Sequence, residues 1–413
     1  MSLPDFDDEL HRPDPLVPPE ATLRRERLPK PRRGRLTTPP AEESTPPAQP
    51  AAEDKAPRLR ALDAFRGLTI ALMLLVNNIA LDVATPKTLT HAAWNQGVNL
   101  ADLVLPWFLL AAGVAIPFAA ASARRKGIPA WRFDLKVLSR AGTLVLLGCL
   151  VDSSVLRTPV FTLGVLQIIG LAYLVAALLV ELPTSRRLLI AGGLLAGYWA
   201  AIKFLPIPGI GTGIFEDGRN FIQYLNVNYF NGVHLWGLPS VVPTAALVII
   251  GSALGDVLRN REWVKTKQLA LLLVGGVAML LLGLMWNLSL PFNKPVWTPA
   301  YVLYTAGLGT LLLGALYLVI DVAGWWHWSY PLLVFGANSI ILYVASILTR
   351  TLILEQWHMK YQGHLATVEE WLLATLKGHY GNIHGGWLFT LGIMAFWWII
   401  LWLLYRKKVF IRV

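Results

Sequence analysis

The chain has 413 residues, 55% of them hydrophobic and only 15% charged, with 17 Trp; this balance excludes an ordinary soluble domain and reads as a polytopic membrane protein. A net charge of +11 would suit nucleic acid in a soluble protein, but the basic residues flank apolar runs and fill an N-terminal tail, so nucleic acid is set aside as a partner. The one cysteine, Cys149, excludes an intrachain disulfide and speaks against a cysteine-ligated metal.

Residues 1–57 are dominated by Pro, Arg, Glu and Ala and have no apolar period on which a core could form. They read as a disordered cytoplasmic tail without the apolar stretch of a signal peptide, its basic residues placed to touch anionic lipid. Residues 58–413 read as the membrane domain. About 20 residues cross the hydrocarbon of a bilayer, and runs of that kind lie near 62–81, 100–122, 135–151, 161–182, 188–205, 240–258, 268–289, 301–321, 331–353 and 386–405. With the tail inside, the inner segments after the first span carry sixteen Lys and Arg and the outer loops six. The positive-inside rule then places both termini in the cytoplasm. The expected fold is an all-α polytopic membrane protein of about ten transmembrane helices. On that topology His91, His234, His358, His364, His379 and His384 face outward, and Arg124, Arg125 and Lys126 face inward.

Several polar residues stand where hydrocarbon makes them costly. Asp63 and Arg66, three apart at the start of the first span, suit a local ion pair, or Arg66 faces a polar cavity and an anionic ligand. Asn77 and Asn78 end that span, where either amide can donate to a developing oxyanion or bond a neighbouring helix. The stretch HAAWNQGVNLADLVLPW brings His91, Trp94, Asn95 and Asp102 to the start of the second span. An imidazole beside a membrane-edge carboxylate can act as general base or acyl acceptor, with Asp102 fixing its tautomer and Trp94 shielding the site. Asp102 equally suits a helix cap. Gln167 and Asn338 are amides that join helices or bind ligand. Asn293, Lys294, Trp297 and Thr298 make a wall for a polar substrate, or plain interfacial anchoring. Gly275, Gly276 and Gly283 suit helix packing within one chain or between two, the second giving a homodimer. No P-loop, HExxH helix or GxSxG elbow occurs.

At these residues the chain resembles the heparan-α-glucosaminide N-acetyltransferases and their bacterial relatives. The resemblance runs from Arg58 to the end through RLRALDAFRGLTIALMLLVN, HAAWNQGVNLADLVLPWFLLAAGVAI, GVLQ, NKPVWTPAYVL, GANSIILYV and LYRKKVFI, all in the family's order. It implies transfer of an acetyl group from cytoplasmic acetyl-CoA, without a metal, to an amino sugar or cell-envelope glycan across the membrane. It implies His91 as catalytic base or acetyl carrier and Asn77 as its partner, beside Asp102. Arg66, Arg124, Arg125 and Arg140, by charge and side, and Gln167 make the candidate set for the cofactor; Trp94, Asn95, Asn293, Lys294 and Trp297 make that for the acceptor. The chain departs from the family at Ile168, where GVLQ usually continues with Arg, and at HLWG, where Trp236 replaces the acid of D-P-E-G. It looks like the shorter bacterial form, in an inner membrane. The rival reading is a transporter or flippase for a small polar or lipid-linked solute, with Asp63, Arg66 and Asp102 as coupling groups.

Overall fold

A computed structural model describes residues 59–410, all within one compact unit; the tail expected over 1–57 lies outside the described residues. The ten expected segments hold α1 (Arg60–Asn77), α2 (Leu100–Arg125), α3 (Ala130–Leu156), α4 (Val165–Leu178), α5 (Thr184–Phe204), α7 (Val241–Arg259), α8 (Lys265–Asn287), α9 (Pro299–Tyr317), the pair α10 (Tyr330–Ala337) with α11 (Ser339–Thr349), and α13 (Asn382–Arg406). Short α6 (Phe221–Leu225) and α12 (Val368–Tyr380) lie between them. The described strands form two small antiparallel hairpins, β1 (Phe215–Glu216) with β2 (Arg219–Asn220) and β3 (His358–Tyr361) with β4 (His364–Thr367).

Six of these helices, α2, α5, α7, α8, α9 and α13, are long and apolar enough to cross a membrane unaided, and the bent pair would make a seventh. The chain is an integral membrane protein. Helix α1 carries Arg60, Asp63 and Arg66, and α4 has only 14 residues, so neither meets that standard by itself. The segment expected as one span over 331–353 is two helices, bent by 64° at Asn338. Asn338 is buried and donates through its side-chain amide to the Val409 carbonyl at 3.1 Å. Such a break is tolerated at depth when protein groups take up the freed backbone.

Helix α7 lies at the centre, with 78% of its apolar window buried, while α8 has 17% buried and turns an apolar face outward as lipid requires. Small residues permit the closest approaches. A Cβ on Gly113 of α2 would strike the Val248 carbonyl of α7, and one on Gly336 of α10 would strike the Asp63 carbonyl of α1. Gly276 and Gly283 pack α8 against Leu311 and Tyr304 of α9, so these two serve contacts within the chain. Gly275 faces open space.

Five helices close a ring. Helix α1 packs on α2, α2 on α4, α4 on α3, α3 on α11, and α11 back on α1. The candidate residues Asn77, His91, Asp102 and Lys294 gather at the end of this ring where α1 finishes and α2 begins.

Candidate active site

Helix α2 begins after Asn99, and Asp102 stands in its first turn. The Asp102 carboxylate has both roles open to it from the sequence. Its Oδ2 accepts from the backbone N–H groups of Asn99 and Ala92, each at 3.0 Å, so it caps the helix and pins the preceding loop. Its Oδ1 lies 2.8 Å from His91 Nδ1. The carboxylate is 2% exposed and the imidazole 58%, so a buried acid holds a ring that stands open to solvent. Tyr301 of α9 donates to the Asp102 backbone carbonyl at 2.5 Å and fixes the turn from below.

Lys294 enters the same site from the loop between α8 and α9. Its Nζ is 3.0 Å from His91 Nδ1, 3.3 Å from His91 Nε2 and 3.5 Å from Asp102 Oδ1. Burial draws the Lys294 pKa below the ordinary lysine value, and the charge of Asp102 pulls it part of the way back. Two hydrogen-bond patterns compete at Nδ1: it donates to Asp102, leaving Nε2 as the basic nitrogen, or it accepts from the Lys294 ammonium. The first couples imidazole, carboxylate and ammonium without conflict, because Lys294 can then face Nε2 and Asp102.

His91 and Lys294 open onto a cavity of about 140 Å³ at the mouth of the five-helix ring. Asn77 lines it from α1, Ala101 and Leu105 from α2, Val165 from α4 and Tyr343 from α11. Asn77 also lends its backbone carbonyl to Arg350 at 2.8 Å, which ties the end of α1 to the end of α11. Asn78, buried, donates back to the Leu74 carbonyl and so closes the helix.

The remaining candidates divide. Asn293 is buried and organises its own loop, accepting from Val296 N–H at 3.0 Å and donating to Asn95 at 3.1 Å. Trp297 is buried edge-on against Tyr301, and Trp94 packs on Phe215; neither lines the cavity. Gln167 of α4 is fully buried and donates to Asp152 of α3 at 2.8 Å, while its carbonyl oxygen has no partner. Thr162 donates to the same Asp152 oxygen. Gly148 and Gly164 leave the room this cluster needs, since a Cβ on either would collide with Gln167 or Asp152.

The basic residues also separate. Arg66 on α1 donates to Ser339 of α11 at 3.3 Å. Arg140 on α3 lies over the Tyr173 ring of α4 at 4.6 Å, and its buried Nε has no hydrogen-bond partner. Both therefore belong to the ring, toward the end opposite His91. Arg66 and Asn77 stand eleven positions apart on α1, about 16 Å along the axis. Arg124 instead pairs with Glu181 at 2.7 Å and lines a separate cavity of about 710 Å³ with Arg187, Asp256 and Arg259, and Arg125 is exposed. In that second cavity the buried Arg187 is held by Asp256 and Ser252. Tyr343, Asp152 and Tyr173 were not candidates on sequence; each is an unremarkable residue in an apolar run whose role shows only in the packing. Among the described residues no group of three or more His, Cys, Asp and Glu could hold a metal ion.

A family model described as heparan-alpha-glucosaminide N-acetyltransferase, catalytic, matches residues 58–291, more than half of the chain. The chain belongs to that family. Heparan-alpha-glucosaminide N-acetyltransferase of Homo sapiens is 27% identical over 86% of this chain, and that of Mus musculus is 24% identical over the same share. The chain spans about 60% of the length of these two relatives. The family match covers His91, Asp102, Asn77 and Gln167, and ends at Pro291, just short of Lys294.

Proposed function

We propose that this protein is a ten-span membrane acetyltransferase that takes acetyl from cytoplasmic acetyl-CoA and passes it to an amino sugar or related envelope glycan on the His91 side of an inner membrane. The observation that carries this is the His91 imidazole held 2.8 Å from the buried Asp102 carboxylate at the mouth of the five-helix ring. A proton on Nδ1 shared with Asp102 leaves Nε2 free to take the proton of an acceptor amine or hydroxyl, or to carry the acetyl group itself. Attack on the thioester carbonyl pushes charge onto its oxygen. The Asn77 side-chain amide and the Lys294 ammonium, on the wall of the same cavity, are the donors for that oxyanion.

Acetyl-CoA suits the rest of the ring. Its acyl end must reach His91 while its phosphates stay near the opposite, basic end, and the ring supplies Arg66 and Arg140 there. The unpaired Nε of Arg140 is a donor awaiting an acceptor, as a phosphate oxygen would be. The 16 Å or so of α1 between Arg66 and Asn77 matches an extended pantetheine arm. Arg124, across α2 in the second cavity, is assigned no part in this path.

The test uses proteoliposomes enclosing a panel of amino sugars, with labelled acetyl-CoA added outside. Labelled, enclosed N-acetyl product that is absent with His91→Ala is the expected result. Product confined to the acetyl-CoA side would remove the transmembrane step. The bend at Asn338 is the feature that favours a transporter instead; a transporter would move solute with acetyl-CoA absent and acetylate nothing.

A further inference from the structure

A primary amine of the protein stands where the acceptor's amine has to stand. Lys294 Nζ is within 3.0 Å and 3.3 Å of the two ring nitrogens of His91 and lines the same cavity as Asn77 and Tyr343. An amine that His91 is to deprotonate must come within hydrogen-bond reach of that ring. Lys294 is already there.

Its chemistry fits as well as its position. The side chain is 26% exposed, and burial draws its pKa below the ordinary lysine value, against the counter-pull of Asp102, so the neutral amine is reached more easily than at an exposed lysine. A lysine that gives up its proton easily is a nucleophile. The exposed Lys87 and Lys360 have no such surroundings, and Lys377 is held by Asp82 at 2.6 Å.

Resting on the acetyltransferase reading, we propose that Lys294 is a self-acetylation site: with acetyl-CoA bound and no acceptor in the cavity, the acetyl group passes to Lys294 Nζ and shuts the site. The neutral Nζ lone pair attacks the thioester carbonyl carbon and a C–N bond forms. The C–S bond breaks and its electron pair leaves on sulfur. His91 takes the surplus proton from nitrogen and returns it to the thiolate, so the products are an amide at Lys294 and the free thiol of CoA. No oxidant, reductant or metal enters the balance. The amide cannot carry the charge that faces Asp102, and its acetyl group occupies part of a cavity of only about 140 Å³. The enzyme thereby stops binding acceptor when acceptor is scarce.

Full-length purified protein is incubated with labelled acetyl-CoA, without acceptor, and its lysines are mapped by mass spectrometry. The expected result is acetyl on Lys294 well ahead of Lys87 and Lys360, with turnover lost in step with Lys294 occupancy. Replacing His91 by Ala or Gln slows the modification of Lys294 about a hundredfold or more, the lower range of what a general base supplies, and leaves Lys87 and Lys360 unchanged. An acceptor that is turned over protects Lys294. If wild-type protein acetylates an acceptor while Lys294 is modified no faster than Lys87, or equally fast without His91, self-acetylation is wrong and the acetyltransferase reading stands. If neither acceptor nor Lys294 takes up acetyl, both are wrong.

Discussion

Replacing Asp102 separates its two jobs. Asp102→Asn keeps a side-chain oxygen for the N–H groups of Ala92 and Asn99, so the start of α2 stays capped, but it turns an NH₂ toward His91 Nδ1 and Lys294 Nζ, where a carboxylate had accepted. A hydrogen bond to a charged group is worth about 1.5–3 kcal/mol, so losing the one to His91 should cost kcat roughly ten- to a hundredfold. Thermal stability and KM for acetyl-CoA should hardly change, because the substitution leaves the cap of α2 in place and lies far from the basic end of the ring. Asp102→Ala loses the cap as well, and should fall by about 1 kcal/mol or more in stability on top of the same loss of rate. Steady-state kinetics and thermal denaturation of the three proteins, purified in one detergent, make the comparison. An Asp102→Asn enzyme with wild-type kcat would make Asp102 a cap and nothing more, and would refute the claim that it orients His91.

The lowered pKa of Lys294 should give the pH profile an alkaline limb. If its ammonium helps bind the oxyanion, activity should fall as pH rises through a value below that of a solvent-exposed lysine, and Lys294→Arg, charged throughout, should lack that limb; a limb unchanged in Lys294→Arg would exclude the role. Arg66→Ala and Arg140→Ala should each raise KM for acetyl-CoA about tenfold or more, at 1.5–3 kcal/mol per charged contact, with KM for the acceptor unmoved, and Arg125→Ala should change neither. Gly148→Ala forces a Cβ into the Gln167 amide and should destabilise by about 1–3 kcal/mol. Gly142→Ala, which points into open space on the same helix, should be neutral or slightly stabilising by the same thermal assay.

The helices were legible because an apolar run long enough to cross a bilayer has few other uses, and each of the ten expected segments holds a helix. The break at Asn338 was not, since nothing in GANSIILYV distinguishes an amide that bonds a neighbour from one at which the helix bends by 64°. Asp102 was read as either a cap or a partner of His91, and its two oxygens allow both; sequence spacing cannot show that the roles are not exclusive. Lys294 was read as part of a wall for a polar substrate but not as a neighbour of His91, because the two stand 203 positions apart in the chain and meet through the packing of α9 on α2 and of the loops before them. Trp94 and Trp297 drew notice as large rings at the membrane edge, and both are spent on loop packing against Phe215 and Tyr301. The basic residues were chosen by side and charge alone. That criterion cannot divide Arg66 and Arg140, on the ring, from Arg124, which serves a different cavity.

The most direct measurement is transfer of labelled acetyl from acetyl-CoA to a panel of amino sugars and envelope glycans by the purified protein, beside His91→Ala shown to be folded. Transfer to at least one acceptor by the wild type, and none by the variant, is the predicted result. No transfer to any acceptor together with no binding of acetyl-CoA, or equal transfer by His91→Ala, would contradict the account.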